Sequence, residues 1–318
     1  MSDTVLILAS CTERKHLPIP KGLRLRTVRH RDVTERASRW WQRLMHHRSD
    51  TLPATDLYAG GHWSVVRRLP EVARTRGLRP ALWVISAGYG LVSASARLHA
   101  YSATFAPGDP DSVGRDGSAN KDRQEWWAQL ARLKGPDRKA PRSIADLVRE
   151  DPSVSILVVA SAHYVNALEP DLVKAAARLI APERLMIITT PGRMARGPLG
   201  SHVIAAQAQW QTILGGARTS LHARLAGKIL DGAADGLSVD TVRARLERML
   251  ERSPAVPQDE RQKMTDDDVR AFIRQALASD PRSAHTKLLR ALRDSGRACE
   301  QSRFKRLFFE VTGRQHAK

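Results

Sequence analysis

The sequence predicts an α/β fold: a mostly parallel sheet flanked by helices, followed by a C-terminal helical appendage. Three observations carry that expectation. Four short apolar runs are rich in β-branched residues and barely alternate, as strands covered on both faces do. Helical patterns lie between those runs, which favours parallel strands joined by crossover helices. Beyond about Gly232 the strand-like runs stop, and segments with Arg and Glu on their polar faces take over.

The first run, Val5–Ala9, predicts a buried strand that delivers Ser10-Cys11-Thr12-Glu13-Arg14-Lys15 into a loop. A helical pattern over Val33–His46 follows. Next comes Ala54-Thr-Asp-Leu-Tyr-Ala-Gly-Gly, whose glycine pair permits a tight turn or the close approach of a ligand. Trp63–Thr75 reads as a helix and Ala81–Ser86 as the second strand, ending in Ser86-Ala-Gly-Tyr-Gly. A helix is expected at Asp122–Leu133, a strand at Ser155–Ala160 and a strand at Leu185–Thr189. Between the last two lie a loop carrying His163, Tyr164 and Asn166 and a helix over Val165–Leu179. Gly215-Gly-Ala-Arg-Thr-Ser resembles a glycine turn opening a helix, where free N–H groups beside Arg218 would suit an anion. The expected domains are 1–231, an α/β base-processing domain, and 232–318, a basic helical appendage. The appendage holds helical patterns at Val239–Arg252, Asp266–Leu277, Thr286–Asp294 and Glu300–Val311, with a linker at Ser253–Gln258.

Charge narrows the function. Lys and Arg number 52 against 33 Asp and Glu, a net charge of +19 spread along the whole chain. A small acidic substrate needs only a local cluster of cations. A polyanion that meets many side chains explains the excess better, because each neutralised phosphate releases counterion. The expected partner is DNA or RNA. The two cysteines, Cys11 and Cys299, form neither a disulfide framework nor a metal knuckle, and no apolar run approaches bilayer length. A cytoplasmic location is expected. No phosphate-binding P-loop, dinucleotide fingerprint, HExxH helix or zinc-deaminase signature is present, and neither a metal nor a cofactor is expected.

In open parallel sheets, ligands bind beyond the carboxyl ends of the strands. The polar groups at those ends are therefore the candidate site. Cys11 and Lys15 follow the first strand. Asp56 and Tyr58 precede the glycine pair, Ser86 and Tyr89 follow the second strand, and His163 and Asn166 follow the third. Tyrosines on glycine-flanked loops can stack on bases, but Tyr89 could equally be packed over the core. Asp56 could be a turn or capping residue, with Asp109 or Asp111 supplying the carboxylate instead. His163 could be purely structural.

Taken together, Ser10-Cys11-x3-Lys15, Asp56-Leu57-Tyr58-x-Gly60, Ser86-Ala87-x-Tyr89-Gly90-Leu91 and Tyr101 resemble a family of bacterial and phage domains described as of unknown function. That family is loosely similar to the peroxide-stress protein YaaA and to a central domain of archaeosine synthases. Its relatives occur beside enzymes for 7-deazaguanine modification of DNA and in phage-defence loci. The resemblance covers about residues 4–105 and, more weakly, the helix at Gly215–Leu230. It implies a fold comparable with uracil-DNA-glycosylase-like α/β domains. The chain departs from the glycosylase pattern, because the loop after its first strand holds no obvious water-activating Asp or Asn.

The expected activity is that of a DNA glycosylase that excises a modified base from phage or other foreign DNA and leaves an abasic site. Such chemistry requires a flipped base held by stacking and edge hydrogen bonds. Ser10, Tyr58, Ser86, Tyr89, Tyr101 and Asn166 would form the base pocket. Asp56 would stabilise the cationic sugar, and His163 would hydrogen-bond the departing base. The alternatives are a base-tailoring enzyme of 7-deazaguanine-modified DNA, with Cys11 as nucleophile, and a non-enzymatic DNA-binding protein. DNA contacts are expected from Lys15, Arg193, Arg196, Arg218, Thr219 and Ser220. In the appendage they are expected from Lys287, Arg290, Arg303 and Lys305, on a basic helical hairpin.

Overall fold

The computed structural model describes residues 3–114, 119–190, 197–252, 262–281 and 283–313. Arg193, Arg196 and the expected linker lie outside the described residues. The chain divides into two compact units, Met1–Pro254 and Ala255–Lys318.

The first unit is α/β. Its strands are β1 (Thr4–Ser10), β2 (Thr51–Pro53), β3 (Arg79–Ser86), β4 (Gly90–Ser93), β5 (Arg97–His99), β6 (Ser155–Val159), β7 (Leu185–Thr189) and β8 (Val203–Ala205). Its helices are α1 (Val33–His46), α2 (Ala54–Leu57), α3 (Gly61–Val66), α4 (Leu69–Arg74), α5 (Ala119–Arg132), α6 (Ile144–Glu150), α7 (Ala162–Ala176), α8 (Gln209–Leu214), α9 (Leu221–Asp231) and α10 (Val239–Glu251). Six strands form one sheet in the order β4-β3-β1-β6-β7-β8. Every neighbouring pair is parallel except β3 with β4. All four predicted strands are therefore present and adjacent. In β1 the residues Val5, Ile7, Leu8 and Ala9 are wholly buried, as an uninterrupted apolar run between two helical layers requires.

From β1 the chain moves to β3 on one side and later to β6 on the other. The direction of winding thus reverses at β1, and the crevice at its carboxyl end is where this architecture holds ligands.

Three elements differ from expectation for local reasons. The helix expected over Trp63–Thr75 is two short helices, α3 and α4, because Pro70 lies at the start of the second and cannot continue the first. The helix after β6 starts at Ala162, so His163, Tyr164 and Asn166 stand in its first turns rather than in a loop. Pro170 sits inside that helix and cannot donate to the carbonyl of Asn166. Gln124 Nε2 fills the place at 3.1 Å. Finally, α10 belongs with the α/β unit and not with the appendage, since Val239, Val242 and Leu246 are buried in the main core.

The second unit contains β9 (Gln262–Lys263) and β10 (Arg297–Ala298), a short parallel pair that the sequence did not announce. Three helices, α11 (Asp266–Ser279), α12 (His285–Asp294) and α13 (Gln301–Thr312), enclose a core of Val269, Ile273, Leu288, Leu289, Leu292, Cys299, Phe304, Leu307 and Phe308. Thr265 and Asp268 form a reciprocal capping box on α11. Among the described residues, no helix is long and apolar enough to cross a membrane.

Candidate active site

Cys11 leaves β1 with its N–H still donating to the Ile85 carbonyl at 3.0 Å, so the ladder to β3 runs one residue past the strand. The loop that follows is stitched to the segment after α2. Thr12 Oγ1 donates to the Ala59 carbonyl at 2.9 Å, Ala59 N–H to Arg14 at 2.9 Å, and His16 N–H to Leu57 at 2.9 Å. This places Lys15 directly opposite Tyr58. Two motifs separated by more than forty residues thereby form one wall.

The turn from β3 to β4 makes the second wall. Ser86 Oγ accepts from the N–H groups of Gly88 at 3.2 Å and Tyr89 at 2.8 Å. Two indoles hold the same turn from behind: Trp126 Nε1 donates to Ala87 at 2.7 Å and Trp40 Nε1 to Gly88 at 2.9 Å. Arg142 donates to the carbonyls of Tyr89 at 2.7 Å and Leu91 at 2.6 Å. Gly90 takes a φ of 74°, a left-handed conformation that favours glycine. The Ser-Ala-Gly-Tyr-Gly motif is thus a rigid shelf, fixed by three side chains from α1, α5 and the segment before α6.

All four tyrosines of the chain converge between these walls. Tyr101 Oη lies 2.7 Å from Ser86 Oγ and 3.0 Å from Tyr58 Oη. Tyr164 Oη lies 3.4 Å from Cys11 Sγ, and Tyr89 Oη accepts the His99 N–H at 3.0 Å. The rings meet edge to face, with Tyr89 and Tyr101 centroids 5.3 Å apart. Burial, reinforced by Cys11, holds the hydroxyls of Tyr58, Tyr101 and Tyr164 well above the ordinary tyrosine pKa, so all three stay protonated. Tyr58 and Tyr101 have no exposed surface and Tyr89 has 1%. The expectation of open stacking platforms is corrected here: these rings are packed on one another, and their hydroxyls are hydrogen-bonded.

Lys15 is the cation of the cluster. Its Nζ lies 4.5 Å from the Tyr101 ring centroid and 5.6 Å from that of Tyr58. It donates to the carbonyls of Thr12 and Glu13, each at 3.0 Å. Burial pushes its pKa below the usual lysine value, while Cys11 and Glu13 act in the opposite sense. Lys15 and Tyr164 line a cavity of about 80 Å³, together with Thr12, Glu13, the Ser102–Thr104 segment, Ala106 and Asp109. That is room for a few waters.

The remaining predicted residues fall elsewhere. Asp56 pairs with Arg67 at 3.2 Å, both side chains about half exposed, and is no part of the cavity wall. The two-sided turn at α2 points it outward, so the carboxylate expected from Asp-Leu-Tyr is a surface ion pair. Asp111 is wholly buried and clamped by Arg26, which reaches it through its backbone N–H at 2.7 Å and its guanidinium at 2.6 and 3.0 Å. Asp109 remains, with Glu13, as a carboxylate of the cavity. Ser10 is buried at the end of β1. His163 is partly buried beside Arg123. Burial first, and that guanidinium second, lower its pKa. The Asn166 contact runs through its backbone rather than its side chain.

Arg218, Thr219 and Ser220 form a 3-10 turn ahead of α9. Arg218 and Thr219 are exposed, but Ser220 is buried and donates to its own turn at Ala217. In the second unit, Lys287 pairs with Asp280 at 3.0 Å, and Arg303 pairs with Asp266 at 2.5 Å. Lys305 lies 6.0 Å from the Phe309 centroid, and Arg290 is exposed. Two of the four named cations of the expected basic hairpin are therefore ion-paired within the second unit, with an acid at the start of α11 and one just past its end.

Sequence reasoning passed over Trp40, Trp126 and Arg142, which fix the shelf, and Glu13, which lines the cavity. The adjacent pairs Trp40-Trp41 and Trp126-Trp127 were the available signal, since a buried indole N–H needs an acceptor. No protein-family model, curated protein or solved structure matches this chain.

Proposed function

We propose that this chain is a DNA base-processing enzyme of the glycosylase type in which Lys15 attacks the sugar, and in which Asp56 does not stabilise the cationic sugar. The observation that carries the reading is the placement of Lys15. Its amine is desolvated at the reversal point of the sheet, over the Tyr101 ring and on the wall of a cavity that also holds two carboxylates. A lysine becomes a nucleophile when burial favours its neutral form.

In this reading the neutral Lys15 Nζ forms a bond to C1′ of an extruded nucleotide. The N-glycosidic bond breaks, and the base leaves with its electron pair and takes up a proton. Nζ loses its proton as the sugar ring opens to a Schiff base, which water hydrolyses to free the amine and the abasic sugar. Glu13 and Asp109 face the positive charge that develops at C1′. Tyr164, held protonated, offers a hydrogen bond to the departing base. DNA as the substrate rests on the chain's charge of +19.

The test is incubation of the full chain with a panel of modified phage DNAs, with and without borohydride. A covalent protein–DNA adduct should form with borohydride, and alkali-labile abasic sites without it. Lys15→Arg and Lys15→Met should abolish both. Excision that survives in Lys15→Met sinks the proposal. The second reading, base tailoring through Cys11, is favoured by the short Cys11–Tyr164 contact beside Lys15. Cys11→Ser separates the two: an active serine variant removes the tailoring reading, whereas inactivity with retained but altered bases in the wild type supports it.

A further inference from the structure

We infer that the first turn of α7, together with Arg123 of α5, is a phosphate site, and that its occupant is a backbone phosphate next to the nucleotide whose sugar meets Lys15. The site stands on its own residues; the identity of the phosphate rests on the proposed function.

α7 is a 15-residue helix that starts just beyond the carboxyl end of β6, the strand beside β1. Its ladder opens with the Val165 N–H donating to the Ser161 carbonyl at 3.0 Å. The N–H groups of Ala162, His163 and Tyr164 lie ahead of that bond and have no acceptor within the helix. Ser161 stands at the cap position, but its side chain makes no capping bond, and the first turn carries no acidic residue. Ser161, Ala162 and His163 are only partly buried, so the turn can be reached from solvent. A helix start of this kind carries about half a positive charge.

The second feature is Arg123, which is 5% exposed and whose Nε, sealed from solvent, has no hydrogen-bond partner. α5 and α7 lie side by side. Gln124 Nε2 reaches the Asn166 carbonyl at 3.1 Å, and Trp127 Nε1 reaches Asp171 at 2.9 Å. Arg123 is one helical turn ahead of Trp127 on the same face, which brings it level with the start of α7. His163 feels its charge there: burial first, and Arg123 second, lower the pKa of that imidazole. Burial also lowers the pKa of the guanidinium itself, a shift that Asp122 opposes without cancelling.

This arrangement runs against ordinary electrostatics. Cations are disfavoured at helix N-termini, and buried charges are normally paired. An anion at the start of α7 removes both penalties, because it accepts from the free backbone N–H groups and from the guanidinium fork. The same turn gives the address. Tyr164 lines the Lys15 cavity, so an anion held at Ala162 and His163 lies beside the reacting centre. A phosphodiester next to the extruded sugar is the anion that a nucleotide chain brings there.

The test has two arms, both on the full chain. In the first, inorganic phosphate is titrated while the His163 ring signal, identified by its loss in His163→Gln, is followed by NMR. Phosphate should shift that signal in the wild type, and Arg123→Met should weaken the binding by about 10- to 100-fold. Arg123→Lys should recover part of it. Since Arg123→Met removes a buried charge, its urea midpoint should hold or rise. In the second arm, a methylphosphonate replaces each phosphate flanking the excised base in turn. One replacement should slow excision about as much as Arg123→Met does, and the two losses should not add. No shift of His163 with phosphate, or equal phosphate binding by Arg123→Met, overturns the inference. So does a falling urea midpoint with unchanged phosphate binding, which would make Arg123 purely structural. Phosphate binding with no penalty from either methylphosphonate overturns the assignment to DNA. Phosphate binding in a protein that neither excises a base nor forms an adduct leaves the site standing and overturns the Lys15 reading instead.

Discussion

An alanine at Gly88 would drive a methyl group into the Tyr101 ring. The added Cβ would lie 2.4 Å from Cε2, 2.5 Å from Cδ2 and 3.0 Å from Cζ. Ordinary carbon contacts are about 3.5–4.0 Å, so the ring would have to retreat by about 1 Å. It has nowhere to go. Tyr101 is wholly buried, bonded through its hydroxyl to Ser86 and Tyr58, and packed edge to face against Trp40, Tyr58 and Tyr89. Overpacking of this kind costs about 1–3 kcal/mol, and each strained hydroxyl bond adds about 1 kcal/mol. Gly88 is not among the glycines with positive φ, so the backbone itself accepts alanine, and the stiffer unfolded chain returns about 0.4–1 kcal/mol. The net expectation is a loss of about 2–4 kcal/mol and a fall in melting temperature on the order of 10 °C. Urea unfolding of Gly88→Ala, Tyr101→Ala and the double variant gives the coupling directly. Gly88→Ala should be nearly silent once the ring is gone. A cost below about 1 kcal/mol, or one that is equal in both backgrounds, would refute the packing argument.

Two further expectations follow from where charges sit. Asp56→Asn should change stability by less than about 1 kcal/mol and leave excision intact, because its partner Arg67 is a half-exposed surface cation; a large loss of turnover with normal DNA binding would return the catalytic role to Asp56. His62 has a buried Nε2 without a hydrogen-bond partner, and burial first, then the charge of His222, push its pKa from 6.5 to about 4. The folded state therefore resists a proton that the unfolded chain accepts, so this contribution is complete above pH ~6.5 and is lost as pH falls towards about 4. Denaturant titrations across that window should show stability falling with acidity, and His62→Gln should flatten the slope; an equal slope in the variant would assign it to other groups.

The four central strands were legible because burial on both faces, complete in β6 and β7 and confined to the last residues of β3, leaves no reason to alternate. The edges were not. β4 begins with glycine and β8 is three residues long, too short for any period to register. The convergence of Cys11, Lys15, Ser86 and Tyr89 was also legible, since each follows a strand of the main sheet and neighbouring strands bring those ends together. Tyr58 and Tyr101 arrive instead from α2 and from β5 of a separate two-stranded sheet. What the sequence could not carry was orientation. Whether a tyrosine offers its face or its hydroxyl depends on the indoles of Trp40 and Trp126, which come from other helices. Asp56 and Asp111 look alike in sequence, and only the fold pairs one with a surface arginine and buries the other under Arg26. The ion pairs of Lys287 and Arg303 in the second unit were hidden in the same way. Asp266 lies 37 residues from Arg303, and Asp280 precedes the helix that carries Lys287, so no pattern within one helix announces either pair.

The tyrosine cluster is hard to explain as packing alone. A buried hydroxyl without a partner costs on the order of 1–3 kcal/mol, and phenylalanine would fill the same volume without that liability. This chain nonetheless places all its tyrosines here, with Ser86 and Cys11, in a network satisfied almost wholly from within. Polar networks of this kind fix geometry more than they add stability. The group whose geometry they fix is Lys15, held at 4.5 Å over Tyr101 by two carbonyls of its own loop. Burial favours the neutral form of that amine, while Cys11 and Glu13 favour the charged one. In the proposed reading the six polar side chains, brought from the ends of β1 and β3 and from Tyr58, Tyr101 and Tyr164, are the frame of that lysine rather than core filling.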